Sequence, residues 1–485
     1  MNIQDLEPKR LWSDFYGLTQ VPRPSGHLDK IREHLVNWAK EYNIEVFVDN
    51  AGNVIVRKPA TPGMENRKMA TLEAHMDMVP QKTPESTHDF INDPLEVYID
   101  GDWVKAKGTT LGSDDGMGIA TIMAIFEDDT IKHGPLEAIF TVDEETCMYG
   151  VNNLKEGTLK GDILLNLDNE TEGDFIIGSA GGEDVVSTLE YAEEDAPADM
   201  TAIQLTLKGL KGGHSGLEIN EGRANANKCM ARLVADVIYN YDPILASWEG
   251  GNMRNAIPNS CDVVLLIEAE QKEEVMTLAA SWLQTFNNEY TGIEDGIILE
   301  CKEVATPTKV VPQEIRDNII SAVLACPCGV TRFIPSIPSI VETSCNLGIV
   351  KVKNGTIETD VLVRSSCDSQ LDFLAQSVAA TFSLIGMKVE YSGRYPAWQP
   401  DTNSPIIKVM EEQYKKVNNG EECKISVVHA GLECGVIKTV CPNMDMVSFG
   451  PTLCSPHTPN ERCYIPSVAK YYKHLLAVLE NIPEK

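Results

Sequence analysis

Five side chains able to bind a divalent metal fall in five separate short segments of this sequence. They are His75 in Glu73-Ala74-His75-Met76-Asp77, Asp114 in Gly112-Ser113-Asp114-Asp115-Gly116, and Glu145 in Asp143-Glu144-Glu145-Thr146. Asp168 lies in Asn166-Leu167-Asp168-Asn169-Glu170, and His457 in Ser455-Pro456-His457-Thr458-Pro459. Two imidazoles and three carboxylates are too few for two closed zinc sites. They suffice for two metals if one carboxylate bridges both, and such a centre keeps open positions for water and substrate. Each segment alone is weak. A lone His-x-Asp more often reflects a satisfied structural histidine, and paired acids such as Asp114-Asp115 or Glu144-Glu145 are usually solvated loop charges. Context shifts the balance, because His75, Glu145 and Asp168 all follow apolar strand-like runs, where an unpartnered charge is costly. Asp114 precedes a helix start, so N-capping competes for it.

The elements around these residues alternate strand and helix. Leu28 to Tyr42 reads as an amphipathic helix with Ile31, Leu35, Trp38 and Ala39 on one face. Met69 to Ala74 reads as a strand running into His75, Gly116 to Phe126 as a helix, and Leu136 to Val142 and Asp162 to Leu167 as strands. Such alternation predicts an α/β layer with a mainly parallel sheet, where sites gather at the carboxyl ends of strands. Gly173 to Asp199, rich in glycine and then acidic, reads as a domain boundary. From residue 184 to 399 strands and helices follow in an order typical of α+β sandwiches. Arg394 to Pro400 reads as a return linker. The expected organisation is therefore a catalytic domain in two segments, 1–183 and 400–485, interrupted by an inserted domain over 184–399.

Composition narrows the class of partner. The 485-residue chain carries a formal charge of −31, which argues against nucleic-acid and anionic-membrane partners, since both need a basic face. Met1 to Arg10 mixes both charge signs without an apolar core, so no secretory signal is expected, and no run is long and apolar enough for a membrane span. Thirteen scattered cysteines fit free thiols in a reducing cytoplasm. Cys326-Pro327-Cys328 is one close pair, weak as a metal or redox site. Gly212 to Gly216 lacks the strand, helix and lysine of a phosphate loop, and Gly108 to Gly118 lacks the dinucleotide spacing.

Taken together, the segments resemble those of the aminoacyl-histidine dipeptidases, di-zinc metallopeptidases related to carnosinases, aminoacylases and glutamate carboxypeptidases. The likeness runs through Glu73 to Asp77, Thr110 to Gly118, Thr141 to Gly150 and Leu165 to Asp168. It continues through Gly209 to Gly216, Gly251 to Pro258, His429 to Gly435 and Ser448 to His457, covering nearly the whole chain in the family's order. One departure is Asp115, where such dipeptidases often carry Asn.

The resemblance implies two Zn2+ ions per chain, with Co2+ or Mn2+ as possible substitutes. One would take His75 and Asp168, the other Glu145 and His457, with Asp114 bridging and a hydroxide held between them. Glu144, beside a ligand without being one, would act as general base. Asp77, two residues past His75 on the same side of an extended chain, would orient the imidazole. His214 would support the oxyanion in the partner subunit's site, and Asn255 and Arg364 would contact substrate, Arg364 through the peptide's terminal carboxylate. The insertion would then be a lid and dimerisation domain of a cytoplasmic homodimer acting on small dipeptides such as aminoacyl-histidine. Alternatives are a broad dipeptidase or tripeptidase, an amino-acid deacylase, or a catalytically silent relative that binds metal or a partner. The last would be marked by a missing ligand or base, and none is missing.

Overall fold

The computed structural model describes residues 2–485. The chain divides into two compact units. The first comprises residues up to Ser179 together with Trp398–Val427 and Leu432–Lys485; the second comprises Ala180–Ala397 and Val428–Gly431.

The first unit is built on an eight-stranded sheet in the order Glu45–Val48, Val54–Lys58, Leu136–Thr141, Ala70–His75, Ile163–Asn166, Asp445–Ser448, Asp174–Ser179, Lys424–Val428. Strands 136–141, 70–75, 163–166 and 445–448 run parallel. The flanks are antiparallel: 45–48 pairs 54–58, which pairs 136–141, and 445–448 meets 174–179. Every residue of strands 70–75, 136–141 and 163–166 is buried, polar Thr71, Glu73, His75 and Glu137 included, as in a sheet covered on both faces. Helix Ser113–Glu127 packs on strand 70–75 and on helix Lys9–Thr19. It is apolar around its whole circumference from Met117 to Phe126, and accordingly buried there on all sides.

The second unit is a nine-stranded antiparallel sheet with helices Ala226–Tyr241, Lys272–Glu289, Gln313–Ala325 and Asp368–Ser383. Met230, Leu233, Val234 and Val237 of the first helix join Leu205, Trp248, Val263 and Leu265 of the strands in one core. Three stretches sit differently from the sequence expectation. The acidic run 193–199 lies inside this unit, where Glu194–Asp195 pairs with Lys309–Val310. Arg394 and Tyr395 end a strand, Lys388–Tyr395, instead of opening a linker. Residues 428–431, expected within the second catalytic segment, pack with the second unit because two contacts tie them there. The Val428 carbonyl accepts from the Ala180 N–H at 3.0 Å, and the His429 ring meets Ser344 Oγ at 2.7 Å.

The last helix, Ile465–Glu480, is held to the first unit's sheet through a buried histidine. His474 stacks on Phe175 at 5.1 Å between centroids and 7°, meets Tyr414 edge-on at 5.2 Å, and donates from Nε2 to the Met410 carbonyl at 2.9 Å. Burial lowers its pKa to about 4, against the opposing pull of that carbonyl. An unfolded histidine titrates near 6.5, so between roughly pH 6.5 and 4 the unfolded chain binds a proton that the folded chain refuses. His474 therefore costs stability as pH falls through that window and has no such effect above it. In urea unfolding of metal-free protein, the loss of stability from pH 7 to pH 5 should be smaller in His474→Gln than in the wild type by about 2 kcal/mol. Equal losses would show that the ring is not held neutral.

Candidate active site

Adjacent parallel strands bring the chemistry-bearing segments to one edge of the first unit's sheet. Strand 70–75 ends in His75; its neighbour 136–141 leads into Glu144 and Glu145 at the start of a short helix, Glu144–Cys147. On the other side, strand 163–166 leads two residues on to Asp168. Such carboxyl ends are where ligands bind in open α/β sheets. Asp114 enters at the head of helix 113–127, and His457 from a loop, in a left-handed conformation with φ +58°.

The side chains form overlapping triads whose ligand atoms lie within 4.8 Å of one another: His75, Asp114 and Asp168; Asp114, Glu145 and His457; and His75, Glu144 and Glu145. Asp114 faces both imidazoles, with Oδ1 2.9 Å from His75 Nε2 and Oδ2 3.1 Å from His457 Nε2. Asp168 Oδ1 stands 3.4 Å from His75 Nε2, and Glu145 Oε2 stands 2.9 Å from His457 Nε2.

The electrostatics of this cluster ask for positive charge. Hydrogen bonds to Asp114 and Glu145 push His457 up to about 11. His75 is raised as well: burial opposes this, but the Asp168 charge and hydrogen bonds to Asp114, Asp168 and Asp77 overcome it. Despite its own burial, Asp114 is held below the usual carboxylate range by hydrogen bonds from His457 and His75. Burial raises Glu144 to about 8, with His75 pulling it down and Glu145, Asp114 and Asp77 pushing it further up. Glu145 Oε1 is buried without a partner. Oxygen and imidazole ligands, an orphaned carboxylate oxygen and imidazoles whose pKa the carboxylates raise fit divalent metal, which takes the place of such protons.

Asp77 does more than orient one ring. Its carboxylate accepts from Ser25 Oγ at 2.7 Å and from the backbone N–H groups of Glu144 at 3.0 Å and Glu145 at 3.3 Å. So engaged, it stands 3.5 Å from His75 Nδ1, while its main-chain carbonyl comes closer, at 3.1 Å. The competing cap role at residues 114–115 falls to Asp115, whose Oδ1 accepts from the Gly118 N–H at 2.9 Å. Asp114 is thereby left for the imidazoles.

His214, Asn255 and Arg364 lie in the second unit. His214 pairs with Ala256 in a two-residue ladder, and the Ser215 N–H donates to the Asn255 carbonyl at 2.9 Å. His214 Nδ1 accepts from the N–H groups of Gly216 at 3.1 Å and Leu217 at 3.0 Å. Burial, and then the Arg364 charge, lower its pKa to about 4, so the ring is neutral. With Nδ1 accepting, the proton sits on Nε2, available as a donor. Arg364 is buried; it donates to Tyr395 Oη at 2.6 Å and Ser215 Oγ at 3.3 Å, and its Nε has no partner. Asn255 is exposed. Ser215 and Tyr395, which hold Arg364, were not among the residues singled out in the sequence; Ser215 at least sits in the glycine-rich segment beside His214.

A two-unit protein with this carboxylate–imidazole cluster at the ends of the parallel strands of a mixed sheet has the make-up of a metal-dependent hydrolase. The profile of peptidase family M20/M25/M40 matches residues 71–481, and the chain belongs to that family. Over 483 residues it is 42% identical to the cytosol non-specific dipeptidase of Escherichia coli (strain K12), covering 100% of this chain and 99% of that protein. The crystal structure of aminoacylhistidine dipeptidase from Vibrio alginolyticus matches with a TM-score of 0.93 at 42% identity, covering 100% of this chain and 99% of that one. Aminopeptidase PepT from Bacillus cereus, 16% identical, shares the fold with a TM-score of 0.56 over 98% of this chain and 99% of its own. The chain is a peptide-bond hydrolase, and its family implies use of divalent metal. Among the described residues no helix is long and apolar enough to cross a membrane.

Proposed function

We propose that this chain is a cytoplasmic dipeptidase that works with two zinc ions and prefers histidine at the carboxyl-terminal position of its substrate. The observation that carries the metal reading is Asp114, whose two oxygens each face a different imidazole at 2.9 and 3.1 Å. His75 and Asp168 would hold one ion, Glu145 and His457 the other, and Asp114 both. Ions bound there would polarise the scissile carbonyl and make water available as a nucleophile at neutral pH. Glu144 takes the proton from the attacking water oxygen as it bonds to the carbonyl carbon. It then delivers that proton to the leaving amine as the C–N bond breaks. Asp77 keeps Glu144 and Glu145 in place through their N–H groups. His214 would donate from Nε2 to the oxyanion, Asn255 would contact the substrate, and Arg364, with its free Nε, would pair the terminal carboxylate.

Replacing Glu144 with Gln keeps size and removes the base. Turnover should fall by at least about 10²-fold, while zinc content stays at the wild-type level. Near-full activity would refute the base assignment, and loss of one metal would mean that Glu144 and Glu145 have exchanged roles. Turnover insensitive to chelators would remove the metal reading altogether.

Substrate preference is the point on which the relatives' names divide, one a non-specific dipeptidase and the other an aminoacylhistidine dipeptidase. A broad dipeptidase is therefore the second reading. Measured at one zinc concentration, kcat/KM for β-Ala-His and Gly-His should exceed that for Gly-Leu and Ala-Ala by about tenfold, or roughly 1.4 kcal/mol of transition-state binding. Comparable values across the four would leave the broad reading.

The second unit is read as the dimerisation domain, with His214 acting across the interface. Mixing inactive His214→Ala with inactive Glu144→Gln chains should restore one competent site in each hybrid dimer. No recovery, with subunit exchange verified, would mean that His214 acts within its own chain or only structurally.

A further inference from the structure

We infer that Arg23 and Glu461 are positioning residues that clasp the backbone of residues 111–114 from its two polarities, in the shape from which Asp114 reaches both imidazoles. The inference rests on the metal reading above. The clasped segment is irregular: Gly112 is left-handed at φ +68°, and Asp114 is extended at φ −86°, ψ 109°. At a helix head such N–H groups find no partner in the helical ladder.

Glu461 supplies the acceptors. Its Oε2 accepts from the N–H groups of Leu111 at 2.8 Å and Gly112 at 3.0 Å. Its Oε1 accepts from Ser113 N–H at 2.8 Å, Ser113 Oγ at 2.6 Å and Asp114 N–H at 3.4 Å. Five donors converge on one side chain, and only a carboxylate offers two oxygens that both accept. A glutamine would turn an NH₂ group toward N–H groups.

Arg23 grips the carbonyl side. Its Nη2 donates to the Gly112 carbonyl, and its Nη1 to the carbonyls of Met76 at 3.1 Å and Asp77 at 2.8 Å. One guanidinium thus ties the segment after His75 to the segment before Asp114. Arg23 and Glu461 are 3% and 2% exposed. Two glycines make the room: a Cβ on Gly112 would stand 2.8 Å from Arg23 Nη2, and one on Gly116 2.5 Å from the same atom.

Changing groups that orient metal ligands costs about 10- to 100-fold in metal affinity or activity. Because Asp114 would be shared, both metals should feel the change together. The test is calorimetric titration of metal-free wild-type, Glu461→Gln, Arg23→Lys and Ser113→Ala chains with Zn2+, alongside melting in chelator and kcat and KM on one dipeptide. Glu461→Gln is expected to weaken both zinc equivalents by about 10- to 100-fold and to lower kcat with little change in KM. Arg23→Lys keeps the charge, but one nitrogen cannot span three carbonyls, so it should fall in the same direction. Ser113→Ala removes one contact of the five and should weaken zinc by about threefold. A lowered melting temperature with wild-type zinc affinity would make the pair merely structural and overturn the inference. Should Glu461→Gln fail to fold, zinc affinities of Arg23→Lys and Ser113→Ala within about twofold of wild type would overturn it equally. Failure of the wild-type chain to bind zinc would instead sink the metal reading, and the clasp with it.

Discussion

Asp114 turns one oxygen toward each of two imidazoles, and much of the first unit is arranged around the cost of that arrangement. Asp77, Asp114, Glu144, Glu145 and Asp168 crowd the two rings at the edge of a buried sheet. Carboxylates so placed repel one another and have lost much of their hydration, which is affordable only with compensating cations and N–H donors. The chain provides part of this itself: Asp77 is satisfied by Ser25 and two backbone N–H groups, and one oxygen of Asp115 by the Gly118 N–H, while its Oδ2 is left without a partner. The remainder, marked by the raised pKa of both imidazoles and by the unpartnered Glu145 oxygen, is what divalent metal would compensate.

The scaffold reaches this geometry because parallel strands 70–75, 136–141 and 163–166 are direct neighbours and end on the same side. Residues that follow each strand by a few positions are then brought side by side whatever their separation in sequence. Asp114 and His457 come from outside the strands and depend on loop conformation, so they need anchoring that the sheet does not supply. The dense hydrogen bonding around residues 111–114 answers that need for Asp114.

The second unit carries the opposite local character. His214 is neutral with Nε2 free to donate, and Arg364 keeps an unpaired nitrogen in a buried setting. Both features leave nitrogen donors without an acceptor in the chain. The strong overall negative charge says nothing of this, because net charge reports solubility and long-range fields, and single buried donors decide recognition.

From the sequence alone, the local elements were legible wherever periodicity and burial coincide. Strands such as Leu136–Thr141 and helices such as Asp29–Glu41 and Ser113–Glu127 stand close to where the apolar pattern predicts them. The candidate donors were legible for a related reason: a His, Asp or Glu placed straight after an apolar strand needs a partner. Tertiary structure alone decided which partner. It set Asp114 between two imidazoles, gave the cap to Asp115, engaged the Asp77 side chain with N–H groups, and joined residues 428–431 to the second unit through Ala180 and Ser344. It also brought Arg23 and Glu461, from opposite ends of the chain, onto one short loop. No periodicity announces either residue. Sequence pattern records which face of an element is buried, whereas a contact between distant segments exists only once the elements that carry them have packed.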